Sequence, residues 1–162
     1  MSWHALLQDR SGAAAFEMAL LLPLLLVLLF GGFEAGHFIW TQHKLTESVR
    51  NGARYASRLP VEDFCGSGSA PIGEIRLITR TGQLNNASAV PHIPGWTDSQ
   101  VSVSVDCGAF VDTGIYSDLG SAGPIVTVEA EGVAYPSLFG RLGVIDPEIT
   151  MTAKSSAAVT GL

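Results

Sequence analysis

Residues 13–33 read AAAFEMALLLPLLLVLLFGGF, 21 residues whose single ionisable side chain is Glu17. About 20 apolar residues carry a helix across a ~30 Å hydrocarbon core, so this stretch is long enough to cross a bilayer. The alternative is a buried core helix. That would need a domain able to cover the helix on every face, and a chain of 162 residues leaves little with which to do so. The sequence therefore predicts a membrane helix near the start of the chain.

The composition agrees with this and removes several function classes. The chain is 47% hydrophobic and only 15% charged, against a usual ~25%, which excludes a disordered solvating chain or a charge-laced coiled coil. Nine basic residues against 15 acidic ones give a net charge of −6, the wrong sign for a general nucleic-acid binder. The length excludes a large multi-domain enzyme.

Residues 34–59 contain no proline and place Phe38, Leu45, Val49, Ala53, Ala56 and Leu59 on one face, the pattern of an amphipathic helix. This stretch is net basic through Lys44, Arg50, Arg54 and Arg58, whereas residues 60–162 hold four basic residues against eleven acids. The change of sign marks a boundary between a stalk and a head near Pro60, which ends the helix. Pro23, inside the apolar run, removes the hydrogen bond to the Ala19 carbonyl and predicts local loosening there. Beyond Pro60, CGSGSAPIG (residues 65–73) reads as a flexible connector and Ile72–Leu84 as a short helix.

After residue 100 the period becomes two. Val101, Val103, Val105 and Cys107 alternate with Ser102, Ser104 and Asp106. Val126, Val128 and Ala130 alternate with Thr127, Glu129 and Glu131, and Ile149, Met151 and Ala153 with Thr150, Thr152 and Lys154. Three half-buried strands after one long helix predict an α+β fold whose small head holds an antiparallel sheet. The expected organisation is 1–12 a leader, 13–33 a transmembrane helix, 34–59 the stalk and 60–162 the head.

Cys65 and Cys107 are the only cysteines. No histidine lies at ligand spacing from either, so no metal site is expected. One disulfide closing a loop of about 43 residues would contribute roughly 4 kcal/mol in the chain-entropy model, and two unpaired thiols are the alternative.

The residues preceding the apolar run are Asp9-Arg10-Ser11-Gly12, followed by Ala13, Ala14, Ala15, Phe16 and Glu17. The far end of the run lacks the small-x-small pattern of a secretory cleavage site, so the segment should stay attached. An unpaired carboxylate at Glu17 costs on the order of 3 kcal/mol within a membrane helix. Cleavage between Gly12 and Ala13 would place an α-ammonium four residues from Glu17, and the two attract strongly in a low dielectric. The alternative is that Glu17 snorkels to the headgroups.

Gly12 followed by Glu17 and a hydrophobic helix resembles the class III prepilin signal of type IV pilins and pseudopilins. More specifically, SGAAAFEMALLLPLLLVLLFGGFEAGHFIW with TESVRNGARYASR resembles the TadE-like pseudopilins of tight-adherence (Flp) pilus systems. The corresponding positions are Gly12, Glu17, Pro23, Gly31, Glu34 and Gly36, then Val49-Arg50-Asn51-Gly52-Ala53-Arg54-Tyr55-Ala56. His37 stands where the family often has a basic residue. Met18 stands where the major pilin of these systems usually has Tyr, which favours a minor component, as does the long β head.

The resemblance implies a prepilin peptidase that removes Met1–Gly12, and a single-pass protein in the inner membrane with its head in the periplasm. It implies partners among other pilins or pseudopilins, the inner-membrane assembly platform and the lipid bilayer, with no nucleic acid and no cofactor. The protein would then enter or prime an extracellular pilus. Gly32 and Gly36 form a G-x-x-x-G face on which another helix can approach closely, and Gly52 offers the same on the stalk. The charge distribution opposes this orientation, since Arg10 stands alone before the helix while Lys44 and Arg50 follow it.

Three further motifs have plainer readings. Asp112-Thr113-Gly114 is similar to the aspartic-protease triplet, but Ile115 follows, no second copy exists, and a turn explains it equally well. His37 and His43 lie about 240° apart around a helix and share no metal-binding face. Asn86-Ala87-Ser88 matches a glycosylation acceptor and reads as a surface loop. The resulting expectation is a structural pilus-assembly protein without catalysis. The alternatives are a single-pass membrane-anchored periplasmic enzyme or binding module, with Asp112 as its least implausible catalytic group, or a type II secretion pseudopilin.

Overall fold

The computed structural model describes residues 11–84, 86, 88–109, 123–141, 143 and 148–161, without the side chains of Ser11 and Arg141. The chain divides into two units, Met1–His37 and Phe38–Leu162. The expected leader therefore lies almost wholly outside the described residues, as do Asp112-Thr113-Gly114 and Ala87.

Helix α1 runs Ser11–Ala56 with Pro23 inside it. In the first unit the most apolar window of this helix has no residue buried among the described ones. Phe16, Leu24, Val27, Leu28 and Phe33 are all more than half exposed. Such a surface is unfavourable in water and suits a hydrocarbon solvent, and the helix is long and apolar enough to cross a membrane.

In the second unit the same helix becomes amphipathic. Leu45, Val49, Ala53 and Ala56 are buried, and Phe38 and Leu59 pack against the core from its edge. The stripe also takes in Thr41, Ser48 and Gly52. The helix ends at Ala56, three residues before Leu59, because Pro60 disfavours helical geometry in the residue before it. The last carbonyls are capped by tighter turns, Arg58 N–H to Tyr55 O at 3.1 Å and Leu59 N–H to Ala56 O at 3.2 Å.

A short helix α2 (Val61–Cys65) and a ten-residue helix α3 (Ile72–Thr81) follow. Helix α3 stops at Gly82, whose φ of 69° is the left-handed conformation that glycine adopts without a Cβ penalty. This is three residues earlier than Leu84. A 3₁₀ turn (Asp98–Gln100), strand β1 (Val101–Asp106), strand β2 (Ile125–Ala134), a four-residue helix α4 (Leu138–Arg141) and strand β3 (Thr150–Ala158) complete the described elements.

The α+β architecture is as the sequence predicts. Among the described residues the sheet is an antiparallel meander in the order β1-β2-β3. Val101 pairs with Ala130 and Val103 with Val128; across the other side Ala130 pairs with Ala153 and Val133 with Met151. The inward set on β2 is Val126, Val128, Ala130 and then Val133, a step of three that strict alternation forbids. A register shift between Ala130 and Val133 inserts the extra residue, with Gly132 at φ 66°. Gln100 Nε2 donates to the Gly132 carbonyl at 2.6 Å and holds the bulge. On the outer face Thr127 and Ser156 hydroxyls lie 2.8 Å apart, and Lys154 reaches Glu129 at 3.5 Å. Ile149 differs from its expected inward place: it precedes β3 and is 43% exposed.

The inner face of the sheet shares one core with α1 and α3, together with Ile75, Ile93, Trp96 and Val159. The Cys65–Cys107 disulfide forms, joining the end of α2 to the residue after β1.

Candidate functional site

The first group of expected site residues lies at the start of α1. Gly12, Ala13 and Glu17 are exposed. A Cβ built on Gly12 meets nothing within 4 Å, and the same holds for Gly31, Gly32 and Gly36. Each glycine inside a helix costs about 1 kcal/mol relative to alanine. Among the described residues nothing crowds the positions 31, 32 and 36. Glu34 is half-buried, and so is His37; His43 is exposed. No group of three or more His, Cys, Asp or Glu side chains capable of holding a metal occurs among the described residues.

The second group, Arg50, Gly52, Arg54 and Tyr55, is built differently. Gly52 is buried, and a Cβ there would collide with Thr79 Oγ1 of α3. The absence of a side chain lets the two helices meet at this point. Thr79 in turn is held by its own hydroxyl, which donates to the Ile75 carbonyl at 2.6 Å. One turn on, the Tyr55 hydroxyl donates to Glu74 Oε2 at 2.9 Å. Burial and the neighbouring carboxylate raise the Tyr55 pKa above its ordinary 10.0, so the phenol keeps the proton it donates. Gly52 and Tyr55 thus dock α1 onto α3, whereas Arg50 and Arg54 point away and are exposed. Asn51, Arg54, Tyr55, Arg58 and Ile78 line an open groove of ≈ 200 Å³ between the two helices.

Residues 12–54 match the TadE-like protein family model.

The match opens at the glycine before Ala13 and closes at Arg54, so it takes in the exposed apolar helix and the stretch that docks onto α3. The TadE-like family is structural rather than catalytic. No curated protein and no solved structure matches the chain.

Several residues that fasten the elements of the second unit together carry little sequence signal. The Gln42 side-chain amide donates to the Thr152 carbonyl at 2.9 Å and ties α1 to β3. Arg76 Nε donates to the Val101 carbonyl at 3.0 Å. Arg80 pairs with Asp98 at 2.6 Å and also donates to the Trp96 carbonyl at 3.2 Å. Thr41 and Ser48 belong to the buried stripe of α1 but are polar, so an apolar count passes over them. The spacing 41, 45, 48, 52 was the available signal. In the loop after α3, Asn86 Oδ1 accepts from the Ser88 amide at 3.2 Å, a local turn on the surface.

Proposed function

We propose that this chain is a minor pilin, or pseudopilin, of a tight-adherence pilus and works by assembly rather than catalysis. A prepilin peptidase cuts between Gly12 and Ala13 and removes the leader. The remaining chain waits in the inner membrane as a single-pass protein with its head in the periplasm, and its helix then joins other pilins at the assembly platform. The new Ala13 ammonium pairs with the Glu17 carboxylate, within one helix or between neighbours, and so offsets the cost of placing that acid in hydrocarbon. Gly32 and Gly36, with Gly31 and Ala35 beside them, form the close-approach face for a neighbouring helix.

The observation that carries this reading is the TadE-like match beginning at Gly12 and running through an apolar window that has no buried residue among the described ones. The test is processing. Co-expressed with its host's prepilin peptidase, the native chain should lose twelve residues, and Gly12→Leu should block the loss. A deletion strain that assembles pili in normal number and length would contradict the assembly role.

A further inference from the structure

Arg50 and Arg54 stand on successive turns of α1 and Arg58 in the turn that closes it, so all three share one stripe. All three are exposed, and among the described residues none is within ion-pair distance of an acid. Arg54 and Arg58 also flank the groove whose other walls are the Tyr55 ring, Asn51 and Ile78. Two guanidiniums over a partly apolar trough suit a carboxylate on a short side chain, since the planar forks bind it bidentately while the walls exclude water.

The matching charge lies on the same chain. Residues 60–162 hold eleven acids and four basic residues. Of those basic residues, Arg80 is already paired with Asp98 and Lys154 with Glu129, while Arg76 donates to a backbone carbonyl. Glu62, Glu131 and Glu148 remain exposed and without an ion pair among the described residues. Among the described residues, then, the basic stripe and the exposed acids of the head form no ion pair with each other.

We propose that the Arg50–Arg54–Arg58 stripe is a docking surface for the acidic head of a second copy of this chain, a carboxylate seating between Arg54 and Arg58. The contact is heterologous: the stripe of one copy meets a different surface of the next. This rests on the reading of the chain as an assembling subunit, but does not depend on removal of the leader.

The test uses the full-length chain in vesicles of zwitterionic lipid, as an equal mixture of ¹⁵N-labelled and unlabelled copies carrying Arg54→Lys and Arg58→Lys. These substitutions keep the charge and supply amines that a water-soluble carbodiimide joins only to touching carboxylates. The expected result is a mixed-isotope cross-link from position 54 or 58 to an acid within 60–162. Its yield should fall about fivefold at roughly 0.5 M salt, where an exposed ion pair is screened. In the otherwise native chain, Arg50→Glu/Arg54→Glu/Arg58→Glu should weaken self-association measured by energy transfer about tenfold, with circular dichroism and the Cys65–Cys107 bridge unchanged. Cross-links confined to single copies, or self-association unaffected by the charge reversal, would overturn the proposal. So would arginine-dependent binding to vesicles of anionic lipid without any mixed-isotope cross-link, which would make a headgroup the occupant. Leader processing, scored separately on the native protein, distinguishes failure of this contact from failure of the pilin reading.

Discussion

Gly52 sits where two helices touch, and its missing side chain is the reason they can. Alanine at this position gains about 1 kcal/mol of helix propensity but drives a methyl into Thr79 Oγ1, which its own hydrogen bond holds in place. Overpacking of this kind costs typically 1–3 kcal/mol, so Gly52→Ala should lower stability in denaturant titration of the detergent-solubilised protein, with larger residues worse. Thr79→Ala in the same chain should return part of the loss; an additive pair would show that the two sites do not touch. His92 provides a second, titratable test. It packs beside Gly82, and burial together with the charge of Lys44 lowers its pKa below the ordinary 6.5. The folded state therefore favours the neutral ring. Its contribution is complete above about pH 6.5 and is lost as pH falls through the depressed folded pKa, because the unfolded chain binds the proton more readily. The wild-type thermal midpoint should drop more steeply between about pH 7 and 5 than that of His92→Gln, and parallel curves would contradict it.

At the scale of elements, the apolar run and the alternating strands were legible because burial there follows simple periods. Residues 45, 49, 53 and 56 fall on the buried stripe of α1, and residues 126, 128 and 130 on the inner face of β2. The bulge at Glu131 and Gly132 was not legible. It changes the inward parity of β2, and only the pairing of Val133 with Met151 reveals it. Nor does periodicity show that Arg76, Arg80 and Gln42 would fasten elements together, since each uses its polar end on a distant backbone carbonyl. Two predictions belong here. Cys65→Ser/Cys107→Ser should cost about 2–4 kcal/mol by freeing the unfolded chain, read as an equal drop on reduction of the native protein. Gly32→Leu/Gly36→Leu should leave the head's stability unchanged, because both positions face open space, yet weaken helix association in vesicles about tenfold, roughly 1–2 kcal/mol. Unchanged energy transfer between labelled copies would remove these glycines from the assembly face.

For the molecule as a whole, one helix does two jobs with two surfaces. From Gly12 to Phe33 it is exposed and almost wholly apolar; from Phe38 it contributes a stripe to a packed core. The TadE-like match spans both parts and stops before the sheet. The candidate site was legible for the same reason: its residues sit close together in sequence on one helix. Their division of labour was not, since Gly52 and Tyr55 face α3 while Arg50 and Arg54 face outward, and that separation depends on where α3 packs. The central claim is that proteolysis after Gly12 turns a membrane protein into an assembling subunit with an amine beside Glu17. Intact-mass measurement of the native protein, taken from membranes of cells that contain prepilin peptidase, tests it most directly. A chain beginning at Ala13 is the predicted result. A chain still carrying residues 1–12 in material recovered from filaments would contradict it.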